Sequence, residues 1–236
     1  MGGAVQRAGS DRAPTGVLCA LPEELGGLAA GVRERRRSCG YELLEVEARG
    51  AALLAVVSGV GKVNAARGAT ALCAAGVARL LVVGTCGGLR RHLGPGALVH
   101  CERAIQTDLA VREGREVTPD PGLLAAWRAE VEGYCGSFLT ADRPVMSRWR
   151  RLRLARAFAG DCVADMETAA AAAVARACGV PWAALRVVTD RAGHLGVASF
   201  QLHYPAQAPR AADTVPGLLS RLLDGAVELP PPDADR

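Results

Sequence analysis

The sequence predicts an α/β domain, because apolar runs of strand length alternate with helical segments along most of the chain. At 236 residues, half of them hydrophobic, the chain is long enough to bury one large core. The clearest αβ unit lies between residues 161 and 190. After a short apolar lead-in, residues 165–167 open an alanine-rich helix that ends at Cys178-Gly179. The apolar run 181–188 then predicts a strand that is covered on both faces.

The other elements follow from apolar periodicity and turn residues. A strand over 16–21 leads into a helix that extends to about residue 36, since proline and two acids at its start favour a helix N-terminus. The remaining predicted elements are a hairpin (41–47 and 51–57), a helix to about residue 75, strands 80–83 and 97–105, helix 120–132, strand 137–140, a basic helix 147–159, a loop 205–213 and a final helix 214–224. We expect residues 1–14 to be a disordered leader, residues 15–226 a single domain and residues 227–236 a flexible tail.

Composition excludes several classes of function. The formal charge is only +4 and Lys62 is the only lysine, which does not indicate a nucleic-acid surface. The eight cysteines form no CxxC pair and no histidine stands at zinc-finger spacing, so we expect no metal and no cofactor. Scattered free cysteines are typical of a reducing compartment, and no segment resembles a signal peptide or a membrane span. We therefore expect a cytoplasmic protein with no membrane partner.

Two glycine-rich turns follow predicted strands. The turn at residues 58–62 superficially matches a P-loop, but Val56 stands where the first glycine belongs and Val63 follows Lys62. A tight strand-to-helix turn is favoured there over a ligand loop. At residues 84–88, small side chains allow backbone N–H groups to approach an anion, a ribose or a water.

Five short motifs occur along the chain in an order and spacing that are typical of one family. They are Ala-Leu-Pro-Glu-Glu at 20–24, Ser-Gly-Val-Gly-Lys-Val at 58–63, Gly-Thr-Cys-Gly-Gly at 84–88, Asp-Met-Glu at 165–167 and Arg-Val-Val-Thr-Asp at 186–190. Together they resemble the purine nucleoside phosphorylase and nucleosidase superfamily, most closely the methylthioadenosine/S-adenosylhomocysteine nucleosidases. The resemblance implies a three-layer αβα fold around a mixed, partly barrel-like sheet, a homodimer or larger homo-oligomer, and a small purine nucleoside as substrate.

The resemblance also implies the catalytic residues. Asp190 matches the acid that meets purine N7, while Glu24, Arg186 and Thr85 match the groups around the attacking water. Protonating N7 makes the purine a better leaving group, and a positioned acid contributes about 10²–10⁴-fold. Asp190 follows an apolar strand, and burial there would raise its pKa so that it keeps this proton.

The substrate-binding residues are implied in the same way. Glu167 matches the carboxylate that holds the ribose 2′- and 3′-hydroxyls, because two acceptor oxygens can meet two adjacent donors. Met166 matches the residue that packs against the sugar. Gly87 belongs to the glycine-rich strand exit, and Val145 lies near the position of the base.

Hydrolysis is favoured over phosphorolysis. Hexameric phosphorylases of this superfamily carry an arginine where this chain has Val82, and a Gly-Asp-Pro loop where it has residues 21–24. Phosphate calls for arginine, whereas Glu24 would repel it.

The 5′ substituent of the substrate stays open. Pro144 stands where the methylthioadenosine nucleosidases have an aromatic residue, and residues 106–108 replace their His-Asp loop. Related hydrolases act on futalosine or adenosylhopane, although the futalosine enzymes typically have asparagine at the position of Asp190. A binding module that has lost turnover is the non-enzymatic alternative, and the three intact acids Glu24, Glu167 and Asp190 argue against it.

Overall fold

The computed structural model describes residues 13–111, 113–193 and 196–224, with only the backbone of residues 196 and 197. Residues 1–12 of the predicted leader and the whole predicted tail lie outside the described residues. Within them, none of the helices is both long and apolar enough to cross a membrane.

The described strands form one mixed sheet. They are β1 (Thr15–Cys19), β2 (Val32–Ser38), β3 (Tyr41–Ala48), β4 (Ala51–Val57), β5 (Arg79–Gly88), β6 (Leu98–Gln106), β7 (Glu116–Val117), β8 (Tyr134–Thr140), β9 (Asp161–Asp165) and β10 (Trp182–Asp190). The order is β10-β6-β8-β9-β5-β1-β4-β3-β2, with β7 paired to β6 and β10 paired to β5 as well. The β10–β5 pairing closes β5, β9, β8, β6 and β10 into a five-strand barrel, which β1, β4, β3 and β2 extend as an open sheet.

Helices cover both faces of this sheet. They are α1 (Lys62–Ala74), α2 (Pro121–Glu130), α3 (Arg148–Ala157), α4 (Thr168–Ala177), α5 (Gly196–Gln207) and α6 (Val215–Leu223), with 3₁₀ segments at Pro22–Gly31, Ala208–Arg210 and Ala212–Thr214. One buried cluster joins α1 and α4 to the sheet, and includes Leu72 and Ala171. A second cluster joins α2 and α6 to the sheet through Trp127 and Leu218. The predicted three-layer αβα architecture with a partly barrel-like sheet is confirmed.

The αβ unit differs from the prediction at its start. Residues 161–165 are the strand β9, which pairs with β8 and β5, and α4 begins only at Thr168. The side chain of Asp165 accepts a hydrogen bond from the backbone N–H of Thr168 and so stabilises the helix start from the strand end. The predicted strand 181–188 is confirmed as β10, which is buried up to its last residue.

Two other predictions were wrong. The helix predicted from residue 22 to about 36 is a 3₁₀ segment kinked at Gly26, whose φ is +53°, followed by β2. The charged run in β2 forms an edge strand because its arginines pair across to β3, as Arg35 does with Glu42. The loop predicted at 205–213 contains the end of α5 and two 3₁₀ segments, since Ala208, Ala211 and Ala212 are buried against the core.

Candidate functional site

A cavity of about 310 Å³ opens where β1, β5 and β10 end, the edge at which open α/β sheets bind ligands. All the site residues predicted from the sequence line this one cavity, although they come from distant parts of the chain. They are Glu24, Thr85, Gly87, Val145, Met166, Glu167, Arg186 and Asp190.

Glu24 is a buried acceptor in the first turn of the 3₁₀ segment that follows β1. Its Oε2 accepts the backbone N–H groups of Ala20 at 2.9 Å and Leu21 at 3.2 Å. Its Oε1 accepts both the backbone N–H and the hydroxyl of Thr85, each at 2.9 Å. Protein hydrogen-bond donors therefore contact both carboxylate oxygens of Glu24.

Gly84 makes room for this carboxylate. A Cβ at position 84 would lie 2.9 Å from both carboxylate oxygens of Glu24 and 3.0 Å from Arg186 Nη1, and the φ of +143° is rare for other residues. We expect Gly84→Ala to displace Glu24 and to lower kcat/KM for a nucleoside substrate by at least about 10-fold. Gly50→Ala is the matched control, since Gly50 also has a positive φ (+76°) but has nothing within 4 Å of the added Cβ.

Steady-state kinetics and thermal unfolding of both variants test this prediction. Gly50→Ala should lose some stability through backbone strain and keep its kcat/KM. Equal kcat/KM in Gly84→Ala and the natural protein would contradict the proposed fit between Gly84 and Glu24.

Arg186 is the charged centre of the site. It is almost fully buried on β10, and its Nε lies 3.2 Å from Asp165 Oδ2 while its Nη2 lies 3.2 Å from Glu167 Oε2. It also donates to the carbonyl of Thr85 at 2.9 Å and to the hydroxyl of Thr168 at 3.1 Å. Burial lowers the pKa of Arg186, but the nearby carboxylates of Asp165, Glu167 and Glu24 raise it, and the net direction is upward.

One nitrogen of Arg186 has no hydrogen-bond acceptor among the described residues. Its Nη2 is close to Glu167 but makes no hydrogen bond of good geometry within the described part of the chain. A buried N–H without an acceptor is costly. This nitrogen is therefore available to a ligand or a water in the cavity.

The role of Asp165 was not predicted from the sequence. Its side chain is fully buried at the end of β9 and accepts the hydroxyls of Thr140, at 2.5 Å, and of Thr168. With Arg186 it forms a buried ion pair that fixes the guanidinium. An apolar run that ends in an acid is the pattern of a strand exit, and it fits a helix start equally well. The sequence prediction chose the helix start.

Glu167 lies at the turn between β9 and α4, with its side chain pointing into the cavity. Its Oε1 accepts the backbone N–H of Gly61 at 3.0 Å. Burial raises its pKa, Arg186 lowers it and Asp165 raises it again, and the net direction is upward. The carboxyl is thus held between one backbone donor and one guanidinium.

Asp190 is the last residue of β10 and pairs with Gly87 of β5. Its Oδ2 accepts the hydroxyl of Thr189 at 3.1 Å. Burial raises the pKa of Asp190, and this effect outweighs the hydrogen bond from Thr189 and the charge of His203, which lower it. The upward shift agrees with the expectation that burial helps Asp190 to keep its proton.

The rest of the lining is mostly apolar. Met166 and Val145 line it together with Met146 and Phe200. Phe200 was not predicted, because it lies on α5, in a stretch for which the sequence analysis assigned no element. Gly87 allows β5 to pack closely against Ala192, since a Cβ at position 87 would lie 3.1 Å from the Cβ of Ala192.

A family model described as the Phosphorylase superfamily matches residues 14–224, nearly the whole described chain. The chain belongs to the phosphorylase superfamily. Among its relatives, the 5′-methylthioadenosine/S-adenosylhomocysteine nucleosidase of Geobacillus kaustophilus is 28% identical over 229 residues, covering 86% of this chain and 95% of the relative. The enzyme of the same name from Mycobacterium bovis is 25% identical over 221 residues, covering 75% and 86%.

Solved structures of the superfamily share the fold. The methylthioadenosine/S-adenosylhomocysteine nucleosidase of Helicobacter pylori superposes with a TM-score of 0.83 at 22% identity, covering 89% of this chain and 99% of that structure. The futalosine hydrolase of the same organism gives a TM-score of 0.84 at 22% identity, covering 89% and 98%. The family resemblance predicted from the five motifs is confirmed.

Proposed function

We propose that this member of the phosphorylase superfamily hydrolyses the N-glycosidic bond of a purine nucleoside to the free base and a ribosyl product. The observation that carries the proposal is that two acids in different environments, Asp190 and Glu24, line one cavity. Burial raises the pKa of Asp190, whereas Glu24 accepts hydrogen bonds from protein donors on both oxygens. One group can supply a proton and the other can accept one.

Asp190 is the proposed general acid. It would donate its proton to N7 of the purine as the glycosidic bond breaks, so that the base leaves as a neutral molecule. Asp190 and the neighbouring Gly87 both line the cavity in which the base would bind.

Glu24 is the proposed general base. Both of its oxygens are occupied by protein donors, but the hydroxyl of Thr85 can rotate away and free an acceptor position on Oε1 for a water. The leftover Nη2 of Arg186 can donate to the same water. The water would then attack the anomeric carbon and pass its proton to Glu24.

Glu167 is the proposed ribose ligand. The Gly61 N–H and Arg186 hold its two oxygens in place, and the remaining acceptor positions can receive the ribose hydroxyls. Met166 lines the same cavity and would pack against the sugar.

The charge of the site favours hydrolysis. Three carboxylates, Glu24, Asp165 and Glu167, surround Arg186, which is the one buried arginine of the described residues, whereas Arg143 and Arg150 line the cavity in less buried positions. The carboxylates around Arg186 would stabilise the positive charge that develops on the ribosyl ring and would repel phosphate from this part of the cavity. Val82, which stands where the hexameric phosphorylases carry an arginine, is fully buried in the hydrophobic core.

Methylthioadenosine and S-adenosylhomocysteine are the proposed substrates. Support comes from the names of the two relatives described above and from the apolar lining, where Phe200, Met146 and Leu21 suit a thioether. The fold likeness to a futalosine hydrolase keeps a different 5′ substituent as the second candidate. We also propose a homo-oligomer, as the resemblance implies, and a cytoplasmic location, which the scattered free cysteines favour.

Purine release tests the proposal. The purified protein is incubated with methylthioadenosine, S-adenosylhomocysteine, adenosine and inosine, with and without phosphate, and the free base is quantified. We expect adenine from the first two substrates in phosphate-free buffer. The Glu24→Gln variant, prepared in parallel, controls for a contaminating nucleosidase. Release that requires phosphate would establish phosphorolysis instead, and no release from any of the four would refute the proposed substrate class.

A further inference from the structure

The only lysine of the chain, Lys62, stands at the start of α1 and bridges two other loops. Its Nζ lies 2.7 Å from Oδ1 of Asp108 and 3.7 Å from Oδ2 of Asp142, and only 17% of its side chain is exposed. Burial raises the pKa of Asp108, but the hydrogen bonds from Lys62 and from the backbone of Asp142 outweigh burial and lower it. The ammonium of Lys62 thus contacts two acids, and Lys62 is not among the residues that line the described cavity.

The same two acids also bind backbone N–H groups. Oδ1 of Asp142 accepts the N–H of Lys62 at 3.0 Å, and Oδ2 of Asp108 accepts the N–H of Asp142 at 3.0 Å. These bonds and the ammonium close a ring that joins the turn before α1, the loop after β6 and the loop after β8. We call these three residues the lysine ring. Each of the joined loops also carries a cavity residue, namely Val60, Thr107 and Ala141.

The lysine ring is one residue away from the proposed ribose ligand. Gly61, whose φ is +100°, directs its N–H to Oε1 of Glu167 at 3.0 Å. Because Lys62 is bound through both its backbone and its side chain, the ring restrains the residue that directly follows Gly61. The other carboxylate oxygen of Glu167, Oε2, lies 3.2 Å from Arg186 Nη2.

We propose that Lys62 is a positioning residue for ribose recognition, which acts through the Gly61 N–H on Glu167. This inference rests on the proposed function, since it assumes that Glu167 binds the ribose hydroxyls. An ammonium suits the task because it offers three donors and can hold two acids at once. The side chains of Asp108 and Asp142 are 33% and 54% exposed, so these ion pairs contribute little to overall stability and their value lies in geometry.

The test compares two nucleosides that differ only in the hydroxyls bound by Glu167, adenosine and 2′,3′-dideoxyadenosine. For Lys62→Met we expect kcat/KM on adenosine to fall about 10-fold, through KM, with kcat within about twofold of the natural protein. On 2′,3′-dideoxyadenosine the same variant should lose less than about twofold, because the interaction that Lys62 supports is already absent. Asp108→Asn, which weakens the lysine ring from the opposite side, should give the same pattern.

Arg35→Met is the matched control, since it removes a cation from an exposed ion pair of similar length, 2.8 Å to Glu42, outside the cavity lining. It should leave both nucleosides unaffected. Equal losses on adenosine and 2′,3′-dideoxyadenosine in Lys62→Met and Asp108→Asn would overturn the positioning role, even where the natural protein is an active nucleosidase. A natural protein that releases no base from any nucleoside would refute the proposed function itself, in the assay described above.

Discussion

Asp190→Asn should lower kcat/KM for a purine nucleoside by about 10²–10⁴-fold, the usual contribution of a positioned general acid. Asparagine keeps the shape of the side chain and can still contact the base, but it has no acidic proton for N7. Since Asp190 is one-third or less exposed and has only the Thr189 hydroxyl as a hydrogen-bond donor among the described contacts, the substitution should leave the fold intact.

Two measurements separate loss of the acid from loss of binding. Cleavage of p-nitrophenyl riboside, whose leaving group needs no protonation, should be nearly unchanged in Asp190→Asn. The natural protein should lose activity on purine nucleosides as the pH rises through the raised pKa of Asp190, because only the protonated carboxyl is active.

Asp161→Asn is the matched control for this substitution. Asp161 is hydrogen-bonded to the ring of His92 at 2.8 Å and does not line the cavity, so its amide variant should retain full activity. An Asp190→Asn variant that hydrolyses purine nucleosides at the natural rate would exclude Asp190 as the acid.

Arg186→Met should lower the free energy of unfolding by about 3–5 kcal/mol at neutral pH, the cost of leaving buried charge without its partner. Methionine fills much of the same volume, so the loss comes mainly from Asp165 and Glu167, which keep their burial and lose the guanidinium. The expected loss is large because the Arg186 and Asp165 side chains are 1% and 0% exposed.

The pH dependence of this loss identifies its cause. Burial raises the pKa of Glu167 and Arg186 opposes that rise, so the folded-state pKa of Glu167 should move further above the unfolded value in Arg186→Met. A carboxyl with a raised folded-state pKa destabilises the fold once it is charged and ceases to do so when it is protonated. The deficit should therefore be larger at about pH 8 than at about pH 5.

Chemical denaturation of both proteins across this pH range measures the effect. Arg33→Met, which removes the exposed partner of Glu47, is the control and should change stability by less than about 1 kcal/mol at any pH. A deficit in Arg186→Met that does not vary with pH would assign the loss to packing and not to uncompensated charge.

Local sequence determined the chemistry of the site and the elements nearest to it. The apolar run before Thr189-Asp190 predicts a buried strand, and that burial is what raises the pKa of Asp190. Glu24 could be placed beside a strand exit because Pro22 and two acids mark the start of a helical turn. These predictions needed only neighbours along the chain, whose effects on backbone conformation and burial are short-ranged.

Tertiary structure decided the pairing of charges. Asp165 and Arg186 form a buried ion pair across two strands, and β10 reaches β5 only because the sheet closes into a barrel. The motif at 165–167 could not show this, since an acid before an alanine-rich run fits a helix start as well as a strand end. Gly84 is a similar case, because the need for glycine comes from Glu24, which is sixty residues away in the chain.

The remaining differences have the same origin. The charged strand β2 is stable because β3 offers acids opposite its arginines, and α5 brings Phe200 to the cavity by packing against β10. Sequence by itself therefore determined which groups are available and which segments are buried. Only the folded chain determined which groups meet, because contacts between distant segments depend on sheet order and barrel closure, which local propensity does not encode.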